Sequence, residues 1–246
     1  MPECKLCRNE DTLRNSHVIP EFYYKAIYDK DKKRFYAISS DEEKRPRHHQ
    51  KGLREKLLCD SCERKLNKWE TYFANLLFEK AKVREEDGRF VVLDADYKQV
   101  KLHQISIIWR SGISQLDAFK FVKLGPHQEK MRKMILNEDP GDYYQYGCGL
   151  FINMKYKDFT QSILKPPEMT KYNSHRIYTF ILGGLLWVYF ISSHKPDRAD
   201  ELFIKDDNEL PIIIENKSTS KYLHKYYKKL KNSGNLDKVI GFDTEN

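Results

Sequence analysis

Cysteines stand in two pairs, Cys4-Lys5-Leu6-Cys7 and Cys59-Asp60-Ser61-Cys62. This is the spacing at which two tight turns offer four thiolates to one ion. A CxxC turn sets two sulfurs at bite distance, and Zn²⁺ takes four such ligands at tetrahedral corners. Two turns fill the shell, so the zinc site they form is structural and leaves no open position for catalysis. A pair of disulfides, or buried thiols without metal, are the alternatives. The opening Met1-Pro2-Glu3-Cys4-Lys5 has no basic segment leading into an apolar one, so secretion is not expected. The expected compartment is the reducing cytoplasm, where paired cysteines at this spacing serve as metal ligands. Cys148 is left without a partner and reads as a buried thiol.

Between the pairs lies Ser16-His17-Val18-Ile19-Pro20, and Glu63 directly follows Cys62. Hydrolysing a phosphodiester needs an activated water, a cation on the scissile phosphate and leaving oxygen, and groups that position both. A histidine held in a β-hairpin, opposite a helix presenting a metal ligand, supplies the first two with little protein. Zinc would fix that helix start against the hairpin. A lone histidine beside apolar residues is usually structural. Its place between two knuckles, before Ile-Pro and paired with an acid after the last cysteine, turns the reading of His17 towards catalysis. Glu63, Asn67 and Glu70 fall at i, i+4 and i+7 on one helix face, which makes Asn67 and Glu70 candidate supports. For Glu70 an ordinary helix-surface charge is the preferred reading. His48 and His49 sit in a charged stretch and are assigned substrate contact or no role.

On these residues the sequence resembles the HNH, or His-Me finger, nucleases. Their pattern runs CxxC, then Asp-His or His-His often followed by Ile/Val-x-Pro, then Leu-Cys-x-x-Cys followed by Asn or His. The matching text is Cys4 to Cys7, Ser16-His17-Val18-Ile19-Pro20, and Leu58-Cys59-Asp60-Ser61-Cys62-Glu63, roughly the first third of the chain. The resemblance implies a ββα-metal motif on a zinc-bound treble clef, with His17 as the general base for the attacking water. It implies Glu63 as ligand of a catalytic Mg²⁺ or Mn²⁺. Ser16 falls where the family places Asp or His as the other ligand; a neutral hydroxyl ligates weakly, so another carboxylate substitutes or the site is degenerate. Nucleases of this kind that carry such extensions are often components of mobile elements or anti-phage defence.

The elements that must position these residues divide the chain into 1–83, a zinc-stapled module, and 84–246, an accessory α+β domain. In the first, 22–28 has helical spacing, 34–39 alternates as a strand, and 40–51 is a polar surface loop. Leu66, Trp69, Phe73, Leu76 and Leu77 recur at helical spacing, predicting an amphipathic helix over 63–82. Residues 83–96 read as a linker leading into a strand, 103–124 as largely helical, and 128–137 as a short helix ending before Asp139-Pro140-Gly141. The apolar run 177–191 is fifteen residues long, below the roughly 18 to 20 a spanning helix needs. Gly183-Gly184 at its centre fits a buried hairpin, with a core helix as the alternative and no membrane span expected. Residues 218–232 are expected as a basic, Tyr-rich helix, with a solvated surface helix the preferred reading over a specific nucleic-acid contact. The fold class expected is α+β: a zinc-bound HNH-like module followed by a mixed, largely helical domain with a buried apolar hairpin.

Among 246 residues, 44 Lys+Arg stand against 36 Asp+Glu, a formal charge of +8, which favours a polyanionic partner. Tyrosines and phenylalanines interleaved with lysines suit a phosphate-binding or base-stacking surface, and equally a Tyr-rich core with a lysine rim. The reading is therefore an endonuclease acting on nucleic acid, with DNA preferred, and 84–246 serving for homodimerisation, substrate choice or a partner protein. The alternative is a non-catalytic zinc module that binds nucleic acid or protein.

Overall fold

The computed structural model describes residues 1–28, 34–37, 47–214, 217–234 and 236. Strand β1 (Leu13–His17) is followed by one tight 3-10 turn at Glu21–Tyr24, shorter than the helix expected over 22–28. β2 (Arg34–Ala37) pairs antiparallel with β3 (Arg47–Gln50). The stretch expected as a loop over 40–51 thus ends in a strand, because Arg47–Gln50 finds an antiparallel partner in Arg34–Ala37; residues 40–46 lie outside those described. β4 (Arg54–Cys59) returns antiparallel to β1 and runs straight into helix α1 (Asp60–Ala74).

The β1–β4 register slips between Arg14 and Asn15, leaving Leu57 as an extra residue on β4. A bulge frees a backbone group and turns side chains out of strict alternation. Both effects are used: the Leu57 carbonyl accepts the Lys5 N–H at 2.9 Å, and Leu57, Leu58 and Cys59 are all buried. The bulge therefore docks the first cysteine turn onto the strand that carries the second.

In α1, Leu66, Trp69, Phe73 and, in the wider turn at Asn75–Glu79 that follows, Leu76 are buried, as their spacing predicts. The helix begins at Asp60 rather than 63 and is spent by Glu79. What reads as a linker over 83–96 is a hairpin, β5 (Val83–Glu86) and β6 (Arg89–Val92). Its turn is Asp87-Gly88, both at positive φ (45° and 73°), the backbone a two-residue hairpin turn requires.

Helix α2 (Tyr97–Ile113) starts six residues before the expected 103, where the Asp96 carboxylate caps it by accepting the Gln99 N–H at 2.9 Å. It stops well short of 124 because Glu55 on β4 takes the Gln115 N–H at 3.0 Å and the Ser114 hydroxyl at 2.7 Å. Twelve consecutive residues of α2, Val100 to Ser111, are buried, so the helix lacks the apolar stripe that would mark its ends in sequence. α3 (His127–Asn137) follows close to its expected bounds.

The rest of the chain is built on a sheet, which replaces the largely helical domain expected. Its strands are β7 (Cys148–Ile152), β8 (Lys165–Tyr172), β9 (His175–Leu182), β10 (Leu185–Phe190) and β11 (Leu210–Ile214), joined by the β5–β6 hairpin. The order is β5-β6-β11-β7-β10-β9-β8, with β11 and β7 parallel and every other pair antiparallel. Trp187 and Tyr189 of β10 face a core that includes Phe73 of α1 and Ile105 of α2, and residues on both sides of position 83 contribute to it. Leu186 and Phe190 face the opposite core, made with the short helices α4 (Lys157–Gln161) and α5 (Ala199–Leu202) and the long α6 (Lys217–Asn232). Burial on both faces explains why 177–191 is apolar without interruption. Among the described residues no helix is long and apolar enough to cross a membrane.

Gly183 and Gly184 make the β9–β10 turn at φ 57° and 82°. A Cβ on Gly183 would lie 2.7 Å from Phe78 Cζ. Gly183→Ala is expected to cost about 1–2 kcal/mol from the left-handed backbone, with the steric term adding to it. A urea midpoint equal to wild type at unchanged slope would contradict this turn.

Candidate metal centre and the adjoining histidine site

The first knuckle is a tight turn, closed by Arg8 N–H to Cys4 O and Cys4 N–H to Asn9 O, both 2.9 Å, with Arg8 at φ 65°. The second places Cys59 at the end of β4 and Cys62 in the first turn of α1. The four sulfurs lie within 4.8 Å of one another, with Cys7 and Cys59 at 3.8 Å. A tetrahedron of Zn–S bonds near 2.3 Å has edges of roughly 3.8 Å, so the cluster has the dimensions of a Zn²⁺ shell. No disulfide joins them. The Cys59 N–H donates to Cys4 Sγ at 3.3 Å, the kind of bond that supports a thiolate. Hydrogen bonding from Cys62 brings the Cys4 thiol down to about 4, while the same contact and burial push Cys62 up. In such a cluster one thiolate forms at its neighbours' expense, and a dication at the centre relieves all four. From the far side, the Arg132 guanidinium of α3 donates to the Leu6 carbonyl, and Glu129 pairs with Arg8 at 2.6 Å.

Ser16 and His17 are neighbours on β1 and point to opposite sides of it. Ser16 is buried, and its hydroxyl lies beside the Glu63 carboxylate, favouring the charged form. The same hydroxyl lies 3.4 Å from the Arg14 carbonyl, and Glu63 Oε1 is buried with no hydrogen-bond partner among the described residues. Burial is the largest influence on Glu63 and raises its pKa, against the pull of Ser16 and Arg110. Asn67, one turn on, is exposed and bonds to neither.

The His17 ring turns the other way. Arg54, its cross-strand partner, donates Nε–H to His17 Nε2 at 2.9 Å and Nη2–H to Glu21 at 2.7 Å. Glu21 Oε2 is 2.8 Å from the same ring nitrogen. Burial first and Arg54 second lower the His17 pKa, outweighing Glu21. The Lys51 carbonyl lies 3.1 Å from the same ring nitrogen and also takes the Arg54 Nε–H at 2.8 Å, and the ring is neutral near pH 7. Gly52, at φ 71°, closes over it: a Cβ there would be 3.1 Å from the ring. No hydrogen bond or ion pair joins His17 to Glu63. Arg54 and Lys51 also line an adjacent cleft of about 480 Å³ with Asn15, His49, Gln50 and Leu116. His49 stacks on Phe35 at its rim, centroids 5.6 Å apart.

Arg110, 1% exposed on α2, ties these parts together. It donates Nη1–H to the His17 carbonyl at 2.8 Å and pairs through Nη2 with Glu70 at 2.7 Å. Glu70 is thus the half-buried partner of a buried cation rather than an ordinary helix-surface charge. Removing one partner of such a pair strands the other in a poor solvent.

Arg54, Gly52, Glu21 and Arg110 are missing from the sequence reading. Glu21 had a local signal, four residues after His17 and just past Pro20. Arg110 is the lone charge in an otherwise uncharged run, 104–111, which is the mark of a partnered interior cation. The Arg54 pairing had none, since it depends on the bulged register. No family model, no curated protein and no solved structure matches this chain.

The purified chain is expected to carry one zinc, and Cys59→Ser to lose it together with about 3 kcal/mol or more of stability. Elemental analysis of fresh wild-type protein showing no metal would reject the centre. For His17 the native pKa lies below the unfolded value near 6.5, so between those two values the unfolded chain binds a proton the native state refuses. Stability is accordingly expected to fall as pH drops below about 6.5. The fall is shallower in His17→Gln, which keeps the buried, similarly depressed His103. An NMR midpoint for the His17 ring at or above 6.5 would contradict the assignment.

Proposed function

We propose that this chain is a metal-dependent endonuclease of the HNH type, with a treble-clef-like zinc module, acting on phosphodiester bonds of DNA. The observation that carries the proposal is Glu63 Oε1, a carboxylate oxygen buried without a partner beside Ser16 and one residue past the cysteine cluster. Such an atom is costly unless something cationic or protic satisfies it. Glu63, with Ser16 beside it, would hold a Mg²⁺ or Mn²⁺, which supplies positive charge to the scissile phosphate and the leaving oxygen.

The chain's own groups account for the remaining needs. His17 is neutral at physiological pH, so its lone pair can take a proton from water. The His17 Nε2 now lies against the Arg54 Nε–H, the Glu21 carboxylate and the Lys51 carbonyl. A phosphate seated in the adjacent cleft would compete for the Arg54 guanidinium and expose Nε2, since a bidentate phosphate contact is stronger than one to a neutral imidazole. Lys51 on the same wall offers a second cation to the backbone.

Two observations favour the non-catalytic zinc module instead, the first being that the His17 ring lies on the opposite side of β1 from Ser16 and the buried Glu63. The second is that Arg110 already brings a fixed positive charge to Glu70 and into range of Glu63, which weakens the site for a second cation.

Supercoiled plasmid incubated with Mg²⁺ or Mn²⁺ separates these readings. His17→Ala is expected to lose on the order of 100-fold or more in cleavage rate while keeping its zinc, and Glu63→Ala to lose dependence on the added ion. Equal nicking by wild type and His17→Ala would sink the role of His17. Absence of cleavage by wild type with either ion, on duplex and single-stranded substrates, would favour the binding module.

A further inference from the structure

Helix α6 carries six lysines and no acidic residue in sixteen positions. Since the whole chain has a net charge of only +8, this one helix holds most of the imbalance and leaves the rest of the protein nearly neutral.

The helix is seated firmly. Leu223 and Leu230 are buried, and Tyr227 packs edge-on against Phe159 of α4, centroids 5.2 Å apart. Tyr156 and His224 share a hydrogen bond of 2.6 Å, and Asn153 donates to Ser220 at 3.0 Å. With the tyrosines and leucines spent on the sheet side, the outer face consists of Lys221, Lys225, Lys228, Lys229 and Lys231, all exposed. Lys221, Lys225 and Lys228 fall at i, i+4 and i+7, in one row. Among the described residues none of these five has a carboxylate within ion-pair distance. Glu168, the acid that feels Lys225, is held by Lys165 at 2.8 Å and accepts from the Tyr222 hydroxyl at 3.3 Å. A row of unpaired like charges is self-repelling, and a partner with regularly spaced negative charge relieves it.

We propose that the outer face of α6 is a docking surface for the phosphate backbone of a nucleic acid, separate from the cleft beside His17. It borrows from the proposed function only the identity of the polyanion. An anionic membrane is the less favoured partner because the outward face of α6 has no apolar side chains to insert, and interfacial helices need both faces.

The test is fluorescence anisotropy with labelled duplex DNA and no added divalent ion. It uses the full chain carrying His17→Ala, alone and combined with K221Q/K225Q/K228Q/K229Q or with the matching four arginine substitutions. The glutamine set is expected to bind at least ~10-fold more weakly, with a log–log salt slope shallower by roughly three or four, about 0.9 per lost phosphate contact. The arginine set should bind like its parent, and all three should melt within a degree or two of one another. Unchanged affinity and slope in the glutamine set would overturn the proposal, as would capture by phosphatidylserine vesicles without DNA binding. Failure of wild type to cleave, with the salt slopes as expected, overturns only the nuclease reading. Cleavage by wild type, with the glutamine set binding unchanged, overturns only this one.

Discussion

Four sulfurs held at the joint between β4 and α1 set the geometry of the N-terminal third, because they are contributed by two turns far apart in sequence. Without an ion the thiols act on one another unevenly, Cys4 drawn down and Cys62 pushed up by the hydrogen bond they share. With an ion, every sulfur can be a thiolate at once, and the direction in which α1 leaves the strand is fixed. Ser16, on the neighbouring strand, then meets Glu63 in the first turn of the helix. The bulge at Leu57 belongs to the same device, since its freed carbonyl anchors the first knuckle.

Arg110 extends that rigidity into the rest of the molecule. It is a buried cation on a helix with apolar residues on all sides, and it has three separate acceptors: the His17 carbonyl, Glu70 and the Ser106 carbonyl. A guanidinium is the side chain best able to hold so many directions in one plane. α2 also meets the sheet, where Phe73 and His103 stack at 4.4 Å above Trp187. The strand that bears His17 is thereby referenced to the central sheet as well as to the cysteines.

Charge is distributed with comparable economy. Beside His17 two arginines are matched by acids: Arg54 with Glu21, Arg110 with Glu70. On α6, among the described residues, no such pairing occurs for the exposed lysines. Balanced charge positions side chains within a site, whereas unbalanced charge acts at a distance on whatever approaches. The two regions are suited to different tasks on one polyanion.

Local features were legible in the sequence. The cysteine spacings, the apolar stripe of α1, the Gly183-Gly184 turn and the bounds of α3 and α6 all follow from residues within a few positions of one another. Where a residue's environment comes from distant chain, the reading failed. The ends of α2 are set by Asp96 and by Glu55 from another strand, and burial on every side erased its periodicity. The β5–β6 hairpin carried a readable Asp-Gly turn, but its charged strands, Val83–Glu86 especially, hide a sheet edge that looks like a linker. The site divides in the same way. By itself the sequence determined which groups are available: four thiols at metal spacing, a histidine, a serine and a glutamate beside them. Only the tertiary structure decided that Ser16 faces Glu63 while His17 faces Arg54 and Glu21, and that Arg110 joins the two halves. A one-residue slip in strand register reverses every side chain, and register is a property of two strands and the bulge between them.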